Sequence, residues 1–260
     1  MAQVVSESEP KLSDSIDTQI INDVVIKIAT ANGSGSQSAN LILMKSIFKM
    51  GIPVSSKNLF PSNISGLPTW YTIRVNESGW LAQKNATDIA ILMNPQTVVQ
   101  DLAELPSNTV VIINKSLEKH AVRDDLNIIS VPFDTLVKEA SPDTRLRKKV
   151  TNVIYVGVVA WLLNMDIDAL ADSIRAQFAG KTKAADINID AATVGYQWAD
   201  QTLESRRAHR LEPRELTKDK LIIEGNEATA LGLMFGGVTV AAWYPITPSS
   251  SVCENLEKYL

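Results

Sequence analysis

The stretch VVIKIATANGSGSQSANLILMKSIFKMGIPVSS, residues 24–56, decides the fold class. Its first seven residues are mostly apolar and rich in β-branched side chains, which predicts a strand. Residues 31–38 form a Gly/Ser loop, and residues 37–50 a largely apolar helix closed by Gly51. Residues 52–56 read as a second strand, so the stretch predicts a βαβ unit. Working outward, residues 60–68 hold two prolines and one glycine and read as a loop. Residues 69–75 (TWYTIRV) are a predicted strand, turned by residues 76–79. Residues 87–93 predict a central strand, residues 96–104 a helix, and residues 109–114 and 127–132 two more strands. Strands that alternate with helices predict a mostly parallel α/β sheet.

The second half is expected to be helical. Residues 150–163 are apolar on most faces, which buries that helix. Residues 167–178 start behind Asp166, are amphipathic and end before Gly180. Residues 186–209 predict another helix whose apolar character fades. Residues 206–220 are dense in charge, contain Pro213 and read as a solvated linker. The last stretch, residues 225–252, reads as a small-residue helix, a Gly236-Gly237 turn and a buried strand over residues 238–243. Tyr244-Pro245 leaves the sheet, because proline cannot continue a central ladder. Thr247, Ser249, Ser250 and Ser251 follow, and Ser251 with Glu254 has the capping-box spacing. Hydroxyls and amides at a helix start, past the carboxyl end of a strand, are where open α/β sheets place ligands. A small anion such as an oxo-acid suits that position, and a plain helix cap uses the same residues.

Composition narrows the classes. A length of 260 residues predicts one or two domains, and a net charge of -4 gives no reason to expect nucleic acid. One cysteine, Cys253, excludes an internal disulfide and a multi-cysteine metal site, and fits a cytoplasmic protein. Residues 1–20 are polar and acidic, so they read as a disordered tail and not as a signal peptide. The longest apolar run, residues 153–163, is too short to cross a hydrocarbon core of about 30 Å, so no membrane partner is expected. His120 and His209 lie in polar segments expected to be exposed, without a ligand neighbour at helical spacing. Neither a metal nor a general base is assigned to them.

The glycine loop has the strand-loop-helix context of a phosphate-cradling turn, built on Gly33 and Gly35 with Gln37 behind them. The third glycine of G-x-G-x-x-G is Ser38. The stretch Val54-Ser55-Ser56-Lys57 lacks the acid a nicotinamide site wants at the end of the second strand. A nicotinamide-binding Rossmann enzyme is therefore the weakest reading. A tight turn that only packs closely fits the loop as well.

The run Gly225-Asn226-Glu227-Ala228, then Ala230-Leu231-Gly232, then Tyr244-Pro245-Ile246-Thr247-Pro248-Ser249-Ser250, resembles the start of the alpha region of the 2-oxoacid:ferredoxin oxidoreductases. Residues 24–203 resemble the gamma region that precedes it in fused subunits. The features that carry this are the glycine loop, Asn63-Ile-Ser-Gly-Leu-Pro-Thr-Trp70-Tyr71 and Thr151-Asn152-Val153. Gly33, Gly35 and Gln37 match the family's Gly-x-Gly-Gly-Gln-Gly, while Ser36 and Ser38 depart from it.

The resemblance implies a Rossmann-like, mostly parallel α/β domain with flanking helices over residues 21–205, and a linker over residues 206–220. Residues 221–260 would be the truncated start of an α/β domain of the thiamine-diphosphate-binding type. It implies oxidative decarboxylation of a 2-oxoacid, 2-oxoglutarate favoured, with coenzyme A and with ferredoxin as acceptor. Thr247 would face substrate and thiamine. Tyr244, Pro245, Ile246 and Ser249 would shape the substrate turn, and Gly33, Gly35 and Gln37 the coenzyme A side. No Gly-Asp-Gly with a downstream Asn-Asn pair occurs, so the Mg-diphosphate end of thiamine is expected on a beta subunit, as is the iron–sulfur cluster. A lone βα unit after residue 221 buries little surface. The chain is therefore expected to be a piece of a longer subunit, with that unit packed on the first domain or poorly ordered. The alternative is a non-catalytic gamma-like scaffold.

Overall fold

The computed structural model describes residues 19–60, 64–141, 143–204, 208–246 and 248–260. The expected tail therefore lies almost wholly outside the described residues, as do Asn63 and Thr247. A six-stranded sheet has the order β3-β4-β2-β5-β6-β7. Its strands are β2 (Asp23–Ala31), β3 (Val54–Leu59), β4 (Pro68–Asn76), β5 (Ile89–Leu92), β6 (Val110–Asn114) and β7 (Asn127–Val131). The pairs β2–β5, β5–β6 and β6–β7 are parallel, while β4 is antiparallel to both β2 and β3. A short pair, β1 (Ile20–Ile21) with β8 (His209–Arg210), stands apart.

Both faces of the central strands are apolar because both are covered. Ile26 and Ile28 of β2, Ile73 of β4, Ile91 of β5 and Ile112 of β6 meet one helical layer. That layer is α1 (Ser36–Lys49), α3 (Phe133–Ala140), α4 (Thr144–Leu162), α5 (Ile167–Gln177) and α6 (Thr182–Thr202). The alternate residues Ala29, Ala90, Leu92, Val111 and Ile113 meet α2 (Val98–Glu104) and Leu117 of the 3-10 helix Lys115–His120. Helix α4 is buried on most of its faces, as its composition predicts.

The α/β class is as expected, and the structure corrects several details. The predicted βαβ unit has β4 inserted between its strands, so β2 and β3 are not neighbours. The run TWYTIRV pairs on both sides, in register Ile28↔Tyr71 and Asn58↔Tyr71, which makes it interior. Helix α6 ends at Thr202, and His209 sits in β8 rather than in an exposed helix end. Its side chain is only 12% exposed, with Nε2 3.8 Å from Asp88 Oδ1 and Nδ1 3.1 Å from the Asp23 carbonyl oxygen.

The supposed solvated linker is docked. Leu211 is buried and its N–H donates to Leu163 O at 2.8 Å, the Arg214 N–H to Met50 O at 2.8 Å, and the Leu216 N–H to Gly51 O at 2.9 Å. Beyond it, α7 (Gly225–Phe235) and α8 (Ser250–Tyr259) pack on each other through the buried Ala230 and Leu256. The expected strand over residues 238–243 is not formed. Val240 is 80% exposed and Trp243 52% exposed. An apolar run becomes a buried strand only beside another strand that takes its N–H and C=O groups, and none pairs with it among the described residues.

Candidate functional site

The chain leaves β2 for α1 on one face of the sheet and β5 for α2 on the other. The carboxyl ends of β2 and β5 therefore flank a topological switch point, the crevice where open α/β sheets take ligands. Gly33, Gly35 and Gln37 stand there. Gly33 and Gly35 have φ of 77° and 86°, in the left-handed region. A Cβ on Gly35 would lie 3.2 Å from Lys149 O, and one on Gly33 2.7 Å from Ser65 Oγ. The glycines thus allow the start of α4 and the loop before β4 to close on the turn. Helix α1 opens on Gly35 without a side-chain cap, and Gln37 is exposed on its first turn.

The turn is held by amides and hydroxyls. Asn152 Nδ2 donates to Ser34 O at 2.7 Å, Asn94 Nδ2 to Thr30 O at 3.1 Å, and Thr30 Oγ1 to Ser36 Oγ at 2.8 Å. Gly66 N–H donates to Asn32 O at 2.9 Å, and Asn32 N–H to Leu67 O at 2.8 Å. Behind the loop, Tyr155 Oη donates to Asn40 Oδ1 at 2.7 Å, which ties α4 to α1. Complete burial pushes the Tyr155 phenol far above its ordinary range, so it stays a neutral donor. Sequence reasoning misses Asn94, for which the signal is an Asn-Pro step directly after a strand. The edge position of β3 also changes the meaning of Lys57. It pairs through Thr72 with Lys27, two strands from the glycine turn, so it does not occupy the place where a nicotinamide-binding acid would stand.

The second cluster is the turn between α7 and α8. Asn226 Nδ2 donates to Pro248 O at 2.9 Å and to Ser251 Oγ at 2.6 Å, so the two halves of the Gly225–Ser251 pattern do meet. Ser249 Oγ donates to Ile246 O at 2.7 Å and to Tyr244 O at 3.3 Å. Tyr244, Pro245, Ile246 and Ser249 are exposed, Tyr244 by 78%. The capping box is not made. Helix α8 starts at Ser250 with no side-chain cap, and Ser251 Oγ donates to Pro248 O at 3.0 Å instead. The glycine-turn residues and the residues around position 247 form two separate clusters. Among the described residues no group of three His, Cys, Asp or Glu side chains converges as a metal site, and no helix is long and apolar enough to cross a membrane.

A family model described as pyruvate ferredoxin/flavodoxin oxidoreductase matches residues 25–198. The 2-oxoglutarate oxidoreductase subunit KorA of Mycobacterium tuberculosis is 24% identical over 94% of this chain, and the match spans 42% of that relative. The chain thus covers less than half the length of the curated relatives it matches. The 2-oxoglutarate:ferredoxin oxidoreductase of Magnetococcus marinus, solved with 2-oxoglutarate, coenzyme A and succinyl-CoA, superposes with a TM-score of 0.80 at 22% identity. That match covers 92% of this chain and 41% of the other. The gamma subunit of a keto/oxoacid ferredoxin oxidoreductase from Geobacter sulfurreducens superposes with a TM-score of 0.56 at 13% identity, over 69% of this chain and 99% of that one. At these identities the superpositions speak for the fold, while the family match takes in the six-stranded sheet from Val25 onward and the helical layer into α6. The chain belongs to the pyruvate ferredoxin/flavodoxin oxidoreductase family.

Proposed function

We propose that this chain is the gamma region and the first piece of the alpha region of a 2-oxoacid:ferredoxin oxidoreductase subunit, with 2-oxoglutarate as the favoured substrate. The observation that carries the reading is the Magnetococcus likeness. It extends over 92% of the chain, so it takes in more than the gamma-type sheet. In the reaction a 2-oxoacid and coenzyme A give an acyl-CoA and carbon dioxide, and the electrons pass to ferredoxin. Thiamine diphosphate supplies the carbanion stabilisation when bound.

This chain's own residues would orient and bind. The Tyr244–Ser251 turn is rich in hydroxyls, is tied to α7 through Asn226, and carries no acidic cluster. It therefore fits the neutral, substrate-facing side of a thiamine site. The Mg-diphosphate end is assigned to a thiamine-binding beta subunit, together with the iron–sulfur cluster. In this reading the Thr247 hydroxyl hydrogen-bonds the carbonyl or carboxylate of the oxoacid and holds it for attack. The glycine turn would receive the coenzyme A side, its left-handed glycines keeping the switch-point crevice free of side chains.

The test is viologen reduction by the complete complex carrying Thr247→Ala. Loss of one positioning hydrogen bond is expected to lower kcat/KM for the oxoacid by about 10–100-fold and to leave the KM for coenzyme A unchanged. Unchanged kinetics would remove Thr247 from the site.

A further inference from the structure

On the face of the sheet that carries α2, strands β3, β4 and β2 line an open cavity of about 260 Å³ beneath Leu81, Gln83 and Lys84. Two cross-strand rows make its floor. One is Val25–Arg74–Ser55 and the next is Lys27–Thr72–Lys57, of which Lys27 turns to Glu104 at 3.6 Å. Lys57, Arg74 and Lys84 line the cavity with Ser55, Thr72 and Gln83, and no carboxylate does. Three cations converge in a chain whose net charge is -4. Ser55 Oγ donates to Leu81 O at 2.8 Å, so the roof is fastened to the floor.

Arg74 makes this a built site. The residue is 6% exposed. Its Nη1 is taken by Asp23 and by the carbonyls of Val24 and Val75, while its Nε is buried with no hydrogen-bond partner. A buried guanidinium N–H left without an acceptor is destabilising, so the Arg74 head group that lines the cavity keeps hydrogen-bonding capacity its protein partners do not use. Asp23 faces both Arg74 and Lys84, and the three cations outnumber it, with Lys57 and Lys84 exposed to attract a ligand.

We propose that this cavity binds a small oxyanion, a phosphate or carboxylate group held by Lys57, Lys84 and the Arg74 guanidinium. Its volume lies below the range of pockets for drug-sized ligands, which limits the occupant to a small one. It is separate from the glycine turn. Val25 lies six residues before Ala31 along β2, roughly 20 Å at the rise of a strand.

The experiment is a titration of the ¹⁵N-labelled full chain with inorganic phosphate and, in parallel, with malonate, at constant ionic strength. Saturable shifts are expected at the amides of Ser55, Thr72, Gln83 and Lys84 and at Arg74 Nε–H. Lys57→Gln and Lys84→Gln, both on exposed side chains, are each expected to raise the Kd by about fivefold and to leave the rest of the spectrum in place. Tighter phosphate identifies a phosphoryl ligand, and tighter malonate a carboxylate one. Shifts that stay linear, that gather at the glycine turn, or that survive the double Lys57→Gln/Lys84→Gln substitution would overturn the proposal.

Discussion

Tyr155 and Asn40 are both buried, and the phenol is the donor to the Asn40 carboxamide oxygen. Tyr155→Phe keeps the ring and strands that oxygen, so a loss of about 1–2 kcal/mol is expected. Thermal unfolding would show it as a fall in Tm of about 2–4 °C per kcal/mol at this chain length. If the bond matters, the double change Tyr155→Phe with Asn40→Leu costs less than the sum of the singles. The sequence marks Tyr155 as core, because it lies in an apolar run, but it does not show which residue takes its hydroxyl. Asn40 stands 115 residues earlier, and single-sequence patterns carry no information on such pairs. The same holds at the site. Gly33 and Gly35 are legible because a strand-loop-helix turn needs left-handed residues, whereas Asn94 comes into view only once β5 is seen beside β2.

At the scale of elements, α4 and α6 cross with their backbones in close approach. A Cβ on Gly157 would lie 1.9 Å from Ala192 O, and one on Gly195 2.1 Å from Ile154 O. Each obstacle is a backbone carbonyl, which cannot swing aside as a side chain end does. Gly157→Ala must therefore separate two helices that both rest on the sheet, at a cost of about 3 kcal/mol or more, and the change is expected to abolish a sharp unfolding transition in calorimetry. Ala192→Gly is the control. It removes no carbonyl and opens no path for the added methyl, so it does not rescue Gly157→Ala. Element identity was legible wherever local period and burial agree, as in β2, α1, β5, β6 and α4. The order of the strands was not legible, because non-local pairing decides it. Strand β4 looks like any strand in sequence, and only the sheet shows that it enters between β2 and β3. The short helix α3 follows Pro132 in eight residues, too few for a period to declare itself.

At the scale of the molecule, residues 208–217 work as a strap. They run from β8, paired with β1, across the end of α4 to the end of α1. In sequence the charge density hides this, since Arg210, Glu212, Arg214 and Glu215 are what a solvated linker carries. Arg210, Glu212 and Arg214 are instead paired. Arg214 Nε lies 3.0 Å from Glu77 Oε1 and its Nη2 3.1 Å from Glu212 Oε2, while Asn22 Nδ2 donates to Glu77 Oε2 at 2.9 Å. Arg214 first, and Asn22 after it, hold the Glu77 carboxyl below the usual carboxylate range. A folded-state pKa below the unfolded one means that the pair supports the docked strap above the unfolded value, about pH 4.3, and loses that support as the pH falls through the lower folded value. Hydrogen exchange should therefore show protection falling at the amides of Leu211, Arg214 and Leu216 below about pH 4, while Ile26 and Ile28 in the centre of the sheet keep theirs. Glu77→Gln should bring the same selective loss at pH 7. If all of these amides lost protection together, the strap would be part of one cooperative unit with the sheet, and Glu77 would not be the group that fastens it.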